Sequence, residues 1–241
     1  MIPNKEMTLE EVKKLLHYHK FSSGGEATIC ESNREDTLYK IFTFCGEPIR
    51  MSDNKLKKLE ILYELNLEHM VRPVSTISIG DTLVGYEMTY DYDYETYKIY
   101  ELSLEEKISI LKKSKEVLEY FSKYGVIYGD IDLRNILINR TNLDIIFCDI
   151  DNIGIGSYPM DIIPFGLEEY SLTRGIDSRA PAYMLNTMSL RFLEMDIYCT
   201  GRRVLLKKFK RPADKIVSSM KDVNSFNGEY LISHIKQKIK E

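Results

Sequence analysis

Between Gly125 and Asn139 the chain reads GVIYGDIDLRNILIN, and ten residues after that segment it reads DID, Asp149–Asp151. An aspartate is followed after four residues by an asparagine, and then by an apolar, β-like run that ends in a further aspartate. The fold must therefore set Asp130, Asn135 and Asp149 at the borders of strand-like runs.

The sequence has 241 residues, 44% hydrophobic and 29% charged, ordinary proportions for one large domain or two small lobes with buried cores. A net charge of -4 and a pI near 5.7 argue against broad attraction to nucleic acid or anionic lipid. The lysine-rich runs at 205–211 and 236–240 read as solvated helix faces. Cys30, Cys45, Cys148 and Cys199 stand far apart without a CxxC pair. Neither a zinc knuckle nor a disulfide framework is indicated, and reduced cytoplasmic thiols are expected. The opening NKEMTLEEVKK is no basic-then-apolar leader, and no run approaches the ~18 apolar residues of a membrane span. His17 and His19 are two apart on a predicted helix, and His69 and His234 lack ligand-spaced neighbours, so no histidine metal site is expected. DYDYETY alternates acids like a calcium loop, but Thr96 and Leu102 stand where Gly and Glu are needed, so it reads as a solvated loop.

Thr8 and Glu11 form a capping box ahead of Val12, Leu15 and Leu16, which predicts a short helix. From Phe21 to Phe42 the pattern changes to strand, polar turn, strand, with ATICE and TLYKIF as the two strands. KLKKLEILYELNL at 55–67 spaces its leucines for a helix. VRPVSTISIGDTLVGYEMTY then predicts a second hairpin about Gly80-Asp81. Ser103 and Glu106 form another capping box, and Leu104, Ile108, Leu111, Leu118 and Phe121 mark one face of a long helix that stops at Gly125. A strand-rich part thus gives way to a helix-rich part near residues 90–100.

That order of elements, with YGDIDLRN and FCDID as its most specific segments, resembles the protein-kinase-like fold from about Phe21 to the C-terminus. The resemblance implies an α+β, bilobal protein: a β-rich N-lobe with one main helix over 1–90 and a reduced, mainly helical C-lobe over 91–241. It implies ATP and Mg²⁺ as cofactors. In such a protein Asp130 accepts or orients the acceptor hydroxyl's proton, Asn135 and Asp149 hold the metal, and Lys40 pairs the phosphates. A glutamate on the following helix orients that lysine. Glu60 is the first choice and Glu64, one turn later, the second, although strict counting back from ILYELN puts Lys58 at the expected position. Lys40 lies in the apolar strand LYKIF and needs an anionic partner. In the nucleotide-covering loop Ser22, Gly24 and Ala27 take the positions usually held by glycine, with Ser23, Gly25 and Ile29 beside them. Met88 borders the adenine pocket, and Thr89 and Tyr90 fall in the hinge, where backbone groups hold the base.

Departures shape what the resemblance implies. Gly129 replaces the arginine that anchors an activation-loop phosphate in many regulated kinases. Asp132 stands where a lysine commonly contacts the transferring phosphate, with Arg134 as the candidate substitute. Asp151 stands where the triplet opened by Asp149 usually ends in glycine, and either adds metal charge or satisfies a loop amide. SRAPAYMLNTMSLRFL, with EMDIYCTG as its rival, reads as the buried helix of a short second lobe. The implied activity is transfer of the ATP γ-phosphate to a Ser or Thr hydroxyl of a protein, without nucleic-acid or membrane partners. A small-molecule kinase of the aminoglycoside or choline type and a pseudokinase scaffold are the alternatives.

Overall fold

A computed structural model describes residues 1–96, 102–128 and 133–158. Gly129, Asp130, Asp132 and everything beyond residue 158, including SRAPAYMLNTMSLRFL, EMDIYCTG, Cys199, His234 and both lysine-rich runs, lie outside the described residues. The described part is a mixed α+β structure, rich in sheet, with three α-helices and no barrel. The chain divides into two compact units: Met1–Asp93 with Phe147–Asp151, and Tyr94–Ile146 with the residues from Asn152 on. The first unit thus takes in a segment that sequence order alone assigns to the second part.

The first unit is built on β1 (Asn4–Glu6), α1 (Leu9–Tyr18), β2 (Lys20–Ser23), β3 (Ala27–Glu31), β4 (Thr37–Phe44), β5 (Glu47–Pro48), α2 (Asp53–Leu65), β6 (Pro73–Ile79) and β7 (Thr82–Thr89). Its sheet runs β1-β6-β7-β4-β3-β2, with β5 paired to the end of β4. β1 lies parallel to β6 and was not expected, because Asn4, Lys5 and Glu6 carry no strand pattern. Backbone bonds from Thr76 N–H to Pro3 O and from Met7 N–H to Ser78 O, both 2.8 Å, hold it there.

Thr8 caps α1 as its sequence requires: its hydroxyl accepts from Glu11 N–H at 3.2 Å, and its own N–H donates to the Glu11 carboxylate at 2.7 Å. Such a cap is worth about 1 kcal/mol. The helix buries Val12 against Cys30, Tyr39, Ile41, Ile77 and Val84, with Leu15 and Leu16 at the margin. Because side chains alternate along β4, Tyr39 and Ile41 enter this core while Lys40 and Phe42 point to the opposite face. There Phe42 meets Tyr86, the ring centroids 6.3 Å apart.

Helix α2 opens on Ser52, whose hydroxyl accepts from Lys55 N–H at 3.3 Å, and ends at Asn66 in left-handed backbone. Its buried positions are Lys55, Lys58, Leu59 and Leu62, the i, i+3, i+4, i+7 stripe of a core-facing helix. Two members of that stripe are lysines. That is costly unless the ammonium groups find partners.

The second unit contains β8 (Tyr94–Thr96), α3 (Leu104–Lys123), β9 (Val126–Tyr128), a 3₁₀ turn at Leu133–Asn135, β10 (Ile136–Asn139), β11 (Ile145–Phe147), whose last residue belongs to the first unit, and β12 (Ile153–Ile155). Strand orders are β11-β10-β8 and β12-β9. α3 carries the Ser103–Glu106 capping box, and Gly125 just beyond it adopts φ +77, a conformation glycine takes without steric cost. The segment read as a solvated loop at DYDYETY instead supplies β8, paired antiparallel to β10 from Tyr94↔Asn139 to Thr96↔Leu137. The β10 edge offers a backbone ladder, and Tyr94 adds a hydrogen bond from its hydroxyl to Asp144 at 3.0 Å.

Candidate active site

In the first unit two strands, one helix, one loop and the segment after β11 converge on a buried cluster of charge. Lys40 lies on β4 opposite Ile29 of β3 and Tyr86 of β7. Its side chain is only 10% exposed. The ammonium donates to two carboxylates, those of Asp149 and Asp151. Asp151 is 3% exposed and takes two further donors: Lys55 Nζ of α2 at 2.7 Å and the Tyr86 hydroxyl at 3.0 Å. Lys55 also reaches Glu26, in the loop before β3, at 3.1 Å. The aromatic faces complete the wall, with Lys55 Nζ 4.8 Å from the Phe42 ring centroid, a distance at which a cation gains from the ring quadrupole.

Asp149 sits between β11 and the 3₁₀ turn Ile150–Asn152, with φ at +63. Left-handed backbone at a non-glycine residue costs about 1–3 kcal/mol and persists where its surroundings hold it. Here Ile150 is fully buried and Asp151 is tied to three donors. The Asp149 side chain keeps 31% of its surface open.

Burial and charge pull these groups apart electrostatically. Burial, together with the neighbouring Asp151 charge, pushes the Asp149 carboxyl up to about 6 against the pull of Lys40. Burial acts the same way on Asp151, but Lys40 and Lys55 outweigh it and hold that carboxyl well below the usual range. Burial would lower Lys40, yet Asp151 and Asp149 keep it above its ordinary value. The Tyr86 hydroxyl is driven up by burial and then by Asp151. One carboxylate is thus locked as an anion inside, and the other is poised nearer neutrality with an open side.

The helix glutamate expected on Lys40 is not its partner. Glu60 pairs with Lys57 at 2.7 Å, and Glu64 with the N-terminal amine at 3.2 Å. The reason is the rotation of α2: the stripe through 55, 58, 59 and 62 faces inward, which leaves both glutamates off it. Lys58, where strict counting puts the orienting residue, is fully buried. Asp151 is the residue that sequence reasoning failed to pair with Lys40. Its signal was the acid standing in place of the usual glycine.

The remaining expected residues are placed as follows. Ser22 and Ser23 face Ile29 and Thr28 across the β2–β3 hairpin, and Gly24 and Gly25 form its exposed tip, with Gly24 N–H bonded to Ala27 O at 2.9 Å. Met88 is buried on β7 opposite Leu38. The N–H groups of Thr89 and Tyr90 already donate to Arg72 O and Asp36 O, at 2.9 and 2.8 Å. A base at this edge would have to use other backbone groups. Asn135 ends the 3₁₀ turn of the second unit, and Asp130 lies outside the described residues. Among the described residues no group of three or more His, Cys, Asp or Glu side chains is arranged to hold a metal ion. No described helix is long and apolar enough to cross a membrane. No protein-family model matches the chain, and no curated protein matches it.

Proposed function

We propose that the chain is an ATP- and Mg²⁺-dependent phosphotransferase with a bilobal protein-kinase-like fold, which moves the γ-phosphate to a hydroxyl acceptor, in the first instance a protein Ser or Thr. The observation that carries this reading is the pairing of the buried strand lysine, Lys40, with Asp149, a half-open carboxylate in left-handed backbone. Phosphoryl transfer is mostly placement and charge neutralisation. A lysine and a hard carboxylate fixed side by side meet that need.

The donor chemistry fits Mg²⁺, which takes one or two protein oxygens and completes its shell with phosphate and water. Asp149 would hold it, and a bound ion would neutralise charge on the phosphates. Lys40 carries three N–H donors, of which two are engaged by Asp149 and Asp151, so one is left for a phosphate oxygen. Asp130 would receive or orient the acceptor hydroxyl's proton. The tip at Gly24 and Gly25 lets backbone approach a phosphate closely. The free thiols of Cys30 and Cys45 accord with action in the cytoplasm.

A pseudokinase is favoured by one feature: Asp151 engages Lys40 from within, and α2 turns lysines inward rather than an acid. The deciding experiment measures ADP formed from Mg-ATP by the full chain and by Asp130→Asn, with nucleotide binding followed with and without Mg²⁺. Turnover by the parent chain alone supports the transferase. Turnover that survives Asp130→Asn removes that residue's role, and binding indifferent to both Mg²⁺ and Asp149→Asn favours the pseudokinase.

A further inference from the structure

Resting on the nucleotide-binding reading just given, we infer that Asp151, rather than a carboxylate on helix α2, is the positioning residue that holds Lys40 for nucleotide phosphates, with Lys55 and Tyr86 fixing Asp151 in turn. Three observations carry this. First, the α2 glutamates are engaged elsewhere, Glu60 by Lys57 and Glu64 by the N-terminus. Secondly, Asp151 is saturated on both oxygens: Oδ1 accepts from Lys40 and from Tyr86, and Oδ2 accepts from Lys55. A carboxylate bound this way cannot swing away, and with a side chain only 3% exposed it is poorly placed to take a metal ion as well. Thirdly, the three donors come from three elements of one unit, the strands β4 and β7 and the helix α2. The clamp therefore ties the phosphate-facing lysine to the sheet and the helix together.

The consequence is a division of labour between two acids that stand two residues apart. Asp149 accepts from Lys40 and keeps part of its side chain open, a side that can face a cation. Asp151 does the work that a helix glutamate would otherwise do, and Lys55 supplies the positive charge that keeps it buried without an unbalanced ion. Because Asp151 leans on Lys40 and touches the phosphates only through it, its effect must scale with the phosphates and leave the base alone.

The test titrates the full chain with Mg-ATP and, separately, with adenosine, and reads the ratio of the two affinities for the parent, Asp151→Asn, Tyr86→Phe and Glu60→Gln. Asp151→Asn is expected to lower the ATP preference about 30-fold or more, the lower end of what loss of one partner in a buried charge pair produces. Adenosine affinity should hold, which a merely structural defect would not allow. Should Asp151→Asn lose adenosine binding through misfolding, Tyr86→Phe carries the test: it keeps the ring, removes one donor to Asp151, and should lower the ratio by a smaller factor. A parent that prefers ATP, with the ratio unmoved by Asp151→Asn and Tyr86→Phe or moved by Glu60→Gln instead, overturns the inference and leaves the nucleotide reading standing. A parent with no preference for ATP over adenosine overturns both.

Discussion

Replacing Gly85 with Ala tests the register on which the whole site depends. Gly85 lies on β7 opposite Ile41 of β4 and Ile77 of β6. A Cβ built there would stand 2.2 Å from the Lys40 carbonyl oxygen and 3.1 Å from the Ile41 Cα. Both obstacles are backbone, so no side chain can turn aside. Restoring an ordinary contact requires β4 and β7 to part by about 1 Å, against an inter-strand spacing of about 4.8 Å. Overpacking of this kind costs about 3 kcal/mol. With a urea dependence of about 2 kcal/mol per molar, the unfolding midpoint should fall by about 1.5 M. The assay is urea unfolding followed by circular dichroism, since the chain has no tryptophan. The same displacement moves Lys40 itself, so Mg-ATP affinity should drop as well. An Ala variant within about 0.5 kcal/mol of the parent, the range of an ordinary surface substitution, would mean that the strands do not meet in this register, and the placement of Lys40 opposite Tyr86 would fall with it.

Two further outcomes follow from the electrostatics of buried groups. Asp149 has its pKa raised from 3.8 to about 6, so between those values the folded chain binds more protons than the unfolded one, and this group's contribution to stability is lost as pH rises. Asp149→Asn should therefore gain stability relative to the parent as pH goes from 4 to 6 in thermal unfolding; a constant difference across that range would refute the shift. Cys30 is buried and its thiol is pushed up to about 11 by burial, while Cys45 is exposed. An aromatic disulfide reagent at pH 8 should label Cys45 long before Cys30, as peptide mapping by mass spectrometry will show; comparable rates would contradict the burial of Cys30 under α1.

Much of both units is written locally. The Thr8–Glu11 and Ser103–Glu106 boxes start helices because each joins two residues three apart. The alternation in TLYKIF separates Lys40 from the core residues Tyr39 and Ile41 whatever the rest of the chain does. β1 and β8 were illegible for the opposite reason. Asn4–Glu6 is polar and charged, and Tyr94–Thr96 is too short and too closely flanked by acids to show a strand pattern; both become strands through backbone ladders offered by β6 and β10. No composition of a three-residue segment encodes a distant edge.

The candidate site divides along the same line. Sequence alone singled out Lys40, Asp149 and the odd acid at Asp151, because a lysine in an apolar strand and an acid in a glycine's place are visible without coordinates. Which partner that lysine takes depended on the azimuth of α2, and four near-equivalent residues, Lys55, Lys58, Glu60 and Glu64, competed for the inward face. Helical periodicity assigns a stripe but cannot say which of two charged residues half a turn apart will be buried, since that is decided by the partner waiting inside. The partner was Asp151, 96 positions along the chain from Lys55. Only tertiary structure could bring that anion beneath the helix, and once it was there burial favoured Lys55, because an ammonium against a carboxylate is tolerated in the interior where a second carboxylate would not be.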